Sequence, residues 1–173
     1  MTTPAADALR TLARDIPDFP QPGILFRDLT PVLADADALA AVADELVAPF
    51  DGAYDVVAGV EARGFALAAA TAARSGHGIL LIRKAGKLPG EHLTEEYALE
   101  YGTASLEVHV GQVPPGTRVL LVDDVLATGG TLAAAQRLIT RAGWTLAGTA
   151  VALELTALGG RAVAGDVHAL LAV

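Results

Sequence analysis

Short apolar strands alternating with helices predict an α/β domain, with a mostly parallel central sheet flanked by helices. Two observations carry that expectation. Tyr54–Val60 and Arg118–Asp123 are nearly all apolar, as strands buried on both faces are. Helical apolar stripes fall between such runs, without internal repeat, in 173 residues, a length that suits one domain over residues 1–173 and not two.

The elements follow in order. Residues 4–14 read as a short helix, closed by Pro17, Pro20 and Pro22. Residues 17–31 hold four prolines, so they read as an ordered loop. Leu39, Val42, Ala43, Leu46, Val47 and Phe50 form a helical stripe that Asp35 or Asp37 could cap. Gly64–Arg74 reads as an alanine-rich helix, and Gly78–Lys84 as a buried strand. Residues 85–103 are polar and charged with no clean period, which predicts a long mobile excursion. Ser105–Val110 alternates like a half-exposed strand. Gly130–Ala142 reads as a helix ended by Gly143, and Thr145–Leu153 and His168–Val173 as further strands.

Composition removes several function classes. No cysteine is present, which excludes disulfides, thiol nucleophiles and cysteine-based metal sites. No apolar run approaches the ~18–20 residues of a spanning helix. Asp7 interrupts the place where a signal peptide needs an apolar core, so a cytoplasmic protein is expected. Twelve Lys+Arg against twenty Asp+Glu give a net charge of −8, which argues against nucleic-acid and membrane partners. An anionic ligand must then be held by a few local cations. The four histidines, His77, His92, His109 and His168, show no ligand spacing.

The most informative segment is VLLVDDVLATGGT, Val119 to Thr131. An apolar strand runs into Asp123 and Asp124, then a turn through Ala127, Thr128, Gly129, Gly130 and Thr131 opens a helix. Ligands of open parallel sheets sit beyond such strand ends. The glycines let backbone N–H groups face a phosphate monoester, the helix N-terminus adds its dipole, and the two threonines add hydroxyl donors. The carboxylates would repel a phosphate. They suit a ribose diol, or a magnesium ion held partly through water. Neither G-x-x-x-x-G-K-[ST] nor G-x-G-x-x-G occurs.

This segment resembles the 5-phosphoribosyl-1-pyrophosphate (PRPP) motif of the type I phosphoribosyltransferases. Three more segments resemble the adenine-specific branch of that family: Phe19–Leu33 its N-terminal element, Glu61–Phe65 (EARGF) its pyrophosphate loop, and Arg83–Gly102 its flexible catalytic loop. Leu155–Arg161 (LTALGGR) is similar too, but less specific. The resemblance implies the type I phosphoribosyltransferase fold, a hood mainly from residues 1–34 and a flexible loop over 84–103. It implies a Mg²⁺-dependent reaction of adenine with PRPP, giving AMP and pyrophosphate, in a homodimer. A different base (guanine, xanthine or orotate) and a PRPP-sensing regulator are the alternatives.

The same resemblance distributes roles. It puts Asp123 and Asp124 on the ribose hydroxyls and Ala127–Thr131 around the 5′-phosphate. Arg63, after a predicted strand end, has the guanidinium for bidentate contact with pyrophosphate, and an ion pair with Glu61 is its bland alternative. Lys84 and Lys87 are the only two lysines beside ten arginines, and they flank one short turn. The resemblance assigns both to pyrophosphate, Lys84 ahead of Lys87 because it ends a buried strand. It stacks the base on Phe26, with backbone groups of Leu25 and Arg27 reading the base edge, although composition alone makes Phe26 a core residue. Arg27 and Asp28 could pair with each other. Glu100 would approach the purine imidazole ring, and Tyr101 would pack over sugar and pyrophosphate.

Overall fold

The structure is a computed structural model and describes residues 3–98 and 102–173. Helix α1 (Pro4–Leu12) starts at Thr3, whose hydroxyl accepts from the Ala6 N–H at 3.3 Å. Strands β1 (Arg14–Pro17) and β2 (Leu25–Asp28) then pair antiparallel in a two-stranded ribbon, which corrects the expectation of a loop here. Four-residue strands bounded by prolines are too short to show a period, and their exposure removes the apolar alternation. Helices α2 (Thr30–Ala34) and α3 (Ala36–Val47) follow, and Asp35 caps α3 by accepting from the Ala38 N–H at 2.9 Å.

The remaining elements are β3 (Val56–Val60), α4 (Arg63–Ser75), β4 (Gly78–Lys84), β5 (His92–Ala98), β6 (Thr103–His109), β7 (Arg118–Leu126), α5 (Gly130–Arg141), β8 (Thr145–Glu154), α6 (Arg161–Ala164) and β9 (His168–Ala172). Among the described residues the main sheet has seven strands in the order β5-β6-β4-β3-β7-β8-β9. From β4 to β9 all pairings are parallel, and the β6 pairings with β4 and β5 are antiparallel. This is the mostly parallel, helix-flanked sheet that the sequence predicts.

β7 shows why its residues are nearly all apolar. Val119 and Leu121 face one core layer with Leu138 and Ile139 of α5. Leu120 and Val122 face the other with Leu9, Leu46 and Leu67 of α1, α3 and α4. All nine of these residues are buried, and each such side chain contributes about 1.5–3 kcal/mol on leaving water.

The expected excursion over 85–103 is corrected in its second half. Residues 92–98 form β5, paired with β6 from His92↔His109 to Ala98↔Thr103. The inward positions of β5 are Leu93, Glu95 and Tyr97. A charged residue at the middle one conceals the alternation. Glu95 is satisfied there by two arginines of α5, Arg137 Nε and Arg141 Nη1, each 2.5 Å from one of its oxygens. Arg141 also donates to the Thr94 carbonyl at 2.8 Å. Hydrogen bonds from Arg137 and then Arg141 hold the Glu95 carboxyl below its ordinary pKa.

Candidate functional site

A cavity of about 710 Å³ opens at the carboxyl ends of β3, β4 and β7, beneath the β1–β2 ribbon. That size accommodates a nucleotide-sized ligand. It is where a parallel sheet collects its loops.

The floor is the acid pair. Asp123 and Asp124 lie inside β7, each 8% exposed. Asp123 Oδ1 accepts from the Asp124 N–H at 2.9 Å. Burial, and then the neighbouring Asp124 charge, push the Asp123 carboxyl well above the usual carboxylate range. Among the described residues Asp124 Oδ2 is buried without a hydrogen bond, although Arg63 Nε lies 2.5 Å away as a charge contact. A buried carboxylate oxygen left in that condition is suited to a ligand donor or a cation. Among the described residues no three His, Asp or Glu side chains converge as a metal cluster. The pair therefore fits a hard cation that takes most of its oxygens from water and substrate, as Mg²⁺ does.

The turn after β7 forms one wall. Ala127, Thr128, Gly129 and Thr131 line the cavity, while Gly130 begins α5 just behind them. Gly129 has φ +85°, and a Cβ there would stand 2.3 Å from the Gly160 carbonyl oxygen. A Cβ on Gly160 would likewise stand 2.2 Å from the Ala127 carbonyl oxygen. The turn and the Leu155–Arg161 segment thus meet backbone to backbone. Arg161 fixes the approach through two bonds to the buried Glu154, at 2.8 and 2.7 Å. The sequence reading left this segment without a role. Its glycine pair was the available signal.

Leu25, Phe26 and Arg27 line the opposite wall from β2. Phe26 is half-buried against the edge of Phe19, with ring centroids 5.2 Å apart, so the composition-based expectation of a core position does not hold. The Arg63 guanidinium lies 5.0 Å from the Phe26 ring centroid. Arg63 thus touches Phe26 and Asp124, not Glu61. Arg27 pairs with Asp15 instead of Asp28. Asp28 accepts from the Thr30 hydroxyl and N–H at 2.6 and 2.9 Å, which lowers its pKa. Pro17 stands opposite Leu25 and has no N–H to offer the Leu25 carbonyl.

Lys84 lines the cavity from the end of β4. Lys87 does not line it, because its ammonium is paired with Glu61. Glu100 and Tyr101 lie outside the described residues. Two polar residues that line the cavity are absent from the sequence-based assignment. Glu61 enters the cavity wall beside Arg63, and Tyr97 reaches in from β5 with its hydroxyl 3.4 Å from that of Thr131. Tyr97 had no signal while 85–103 read as a loop.

Comparison with known proteins agrees with this geometry. The family model described as "Phosphoribosyl transferase domain" matches residues 28–167. An adenine phosphoribosyltransferase of Clavibacter michiganensis subsp. michiganensis (strain NCPPB 382) is 67% identical over 171 residues, covering 98% of this chain and 97% of that protein. The crystal structure of an adenine phosphoribosyltransferase from Thermoanaerobacter pseudethanolicus superposes with a TM-score of 0.92 at 43% identity, over 97% of this chain and 99% of the other. The Saccharomyces cerevisiae enzyme of the same name, in complex with D-2,5-dideoxy-2,5-imino-altritol 1,6-bisphosphate and adenine, superposes at 0.91 with 35% identity, over 96% and 98% of the two chains.

Proposed function

The chain belongs to the phosphoribosyltransferases, and among them to the adenine phosphoribosyltransferases; from that premise we propose that it converts adenine and PRPP to AMP and pyrophosphate, as a purine-salvage transferase. The observation that carries the reading is the buried acid pair facing a glycine turn in one cavity with Arg63 and Lys84. We read residues 1–173 as one domain, with the β1–β2 ribbon as part of its hood.

The residues divide the substrate between them. The turn from Ala127 to Thr131 receives the 5′-phosphate on N–H groups and hydroxyls. Asp123 and Asp124 accept from the ribose hydroxyls. As the C1–pyrophosphate bond loosens ahead of bonding to adenine N9, the sugar gains oxocarbenium character, and the two carboxylates lie on its side of the cavity. Charge grows meanwhile on the leaving pyrophosphate, where Arg63, Lys84 and Lys87 stabilise it. Arg63 must leave Asp124 to do so, which frees both that carboxylate and the covered face of Phe26 for sugar and base. Mg²⁺, when bound, would neutralise part of the pyrophosphate charge, with Asp123 and Asp124 as its protein-side anchors. Glu100 and Tyr101 keep the roles that the resemblance gives them, beside the base and over the sugar.

Product analysis tests the assignment. With equimolar adenine, guanine, hypoxanthine and xanthine and limiting PRPP, AMP is the expected dominant product. Equal or greater GMP, IMP or XMP would overturn the base assignment and spare the fold. DNA binding at moderate salt without turnover would favour the regulator instead.

The assembly we assign is a homodimer. Leu80 and Ile82 of β4 face the core, whereas Ile79 and Leu81 point to the other side, where α4 leaves them 37% and 40% exposed. Two adjacent outward apolar residues on a sheet face call for a cover. Sedimentation velocity should show a dimer that Leu81→Glu weakens; a wild-type monomer at micromolar concentration would refute this. Among the described residues no helix is long and apolar enough to cross a membrane. We place the enzyme in the cytoplasm, because its highly charged phosphoester substrate does not cross lipid.

A further inference from the structure

Glu61 follows β3 in the cavity wall, and its side chain is only 10% exposed. Oε1 accepts from the Lys87 ammonium. Oε2 accepts from the Lys84 backbone N–H at 3.0 Å. Arg83 Nε, which has no hydrogen-bond partner among the described residues, lies 3.5 Å from the same Oε2. One fixed carboxylate thus gathers the cationic turn that the proposed reaction needs for pyrophosphate. Its charge repels pyrophosphate, so ligand affinity alone gives no reason for it. The ammonium, by contrast, is 48% exposed on a flexible stem and is free to change partners.

Resting on the reading of the cavity as a PRPP site, we propose that Glu61 is a positioning residue that trades Lys87 with pyrophosphate. It holds the ammonium in the ligand-free protein, yields it to bound pyrophosphate, and takes it back as pyrophosphate leaves. Lys87 is then never stranded without a counter-charge, and product release is eased by an internal rival for the same cation. Lys87 foremost, through its hydrogen bond, holds the Glu61 carboxyl below its ordinary pKa, so the rival is charged at neutral pH.

Glu61→Gln isolates the charge, because the amide oxygen still accepts from the Lys84 N–H. Inorganic pyrophosphate is titrated calorimetrically into wild type, Glu61→Gln, Lys87→Met and the double variant, with excess Mg²⁺ and without nucleotide, so that no back reaction adds heat. Glu61→Gln is expected to bind pyrophosphate about two- to fivefold tighter, the scale of a partly exposed ion pair. In the Lys87→Met background the same change should have a smaller effect, because no ammonium remains to be traded. Tightening of equal size in both backgrounds would reduce Glu61 to general repulsion and overturn the proposal. So would unchanged or weaker binding by Glu61→Gln. Wild type that neither binds pyrophosphate nor forms AMP would overturn the PRPP reading itself, which separates the two failures.

Discussion

Gly129→Ala is expected to melt about 5–15 °C below the wild type and to use PRPP about a hundredfold less well. Two costs combine. At φ +85° a Cβ-bearing residue is strained by about 1–3 kcal/mol. The new Cβ would also stand 2.3 Å from the Gly160 carbonyl oxygen, a backbone atom that cannot rotate away. Relief requires the turn or the Leu155–Arg161 segment to shift, for roughly 1–3 kcal/mol more. A shifted turn no longer aims its N–H groups at the phosphate. Gly160→Ala presses on the Ala127 carbonyl from the other side, so it should reproduce both losses. Differential scanning fluorimetry and kcat/KM for PRPP measure them. Near-wild-type values for both variants would show that this contact is not needed.

Asp123→Asn should divide activity from stability. Activity should fall about ten- to a hundredfold in kcat/KM for PRPP, through the loss of a charged acceptor for a ribose hydroxyl. Stability of the ligand-free protein should rise. The Asp123 carboxyl titrates above its unfolded value, so the native state binds its proton more tightly than the unfolded chain does. The stabilisation this gives is complete below the ordinary pKa of about 3.9 and is lost as pH rises through the higher folded value. Asparagine carries no such dependence. The melting temperature of Asp123→Asn should therefore exceed that of wild type at pH 7 to 8, and the gap should close toward pH 4. A gap that widens on acidification would mean that Asp123 is stabilised as a carboxylate, contrary to its burial.

Much of this was legible in the amino-acid sequence, for identifiable reasons. Arg118–Asp123 reads as a central strand because both faces are covered, and the acids that follow its apolar start are polar with no structural need for it. The contiguous turn from Ala127 to Thr131 carries its chemistry in adjacent residues. What stayed hidden depends on partners distant along the chain. Glu95 breaks the alternation of β5 for a reason that lies 42 residues away, at Arg137. Glu61 reads as a possible partner of Arg63 nearby, whereas its ammonium comes from Lys87, 26 residues on. The close approach of Gly129 and Gly160 is a property of two backbones, and no side chain announces it.

Helix α5 has a mechanical consequence for what the enzyme accepts. Its first residue, Gly130, belongs to the turn proposed to receive the 5′-phosphate, and its last, Arg141, grips β5 beside Glu95. At the first of these ends Tyr97 of β5 also lies against Gly130, its ring 3.4 Å from where a Cβ would be. The helix is thus a common axle for two walls of the cavity. If it shifts, both walls travel together and the gap between them keeps its width. With the 5′-phosphate in the proposed turn, that end of the site would work as a caliper with a locked jaw: a pentose 5′-phosphate would be gauged by a fixed opening, and a bulkier sugar phosphate would find no wall that retreats on its own.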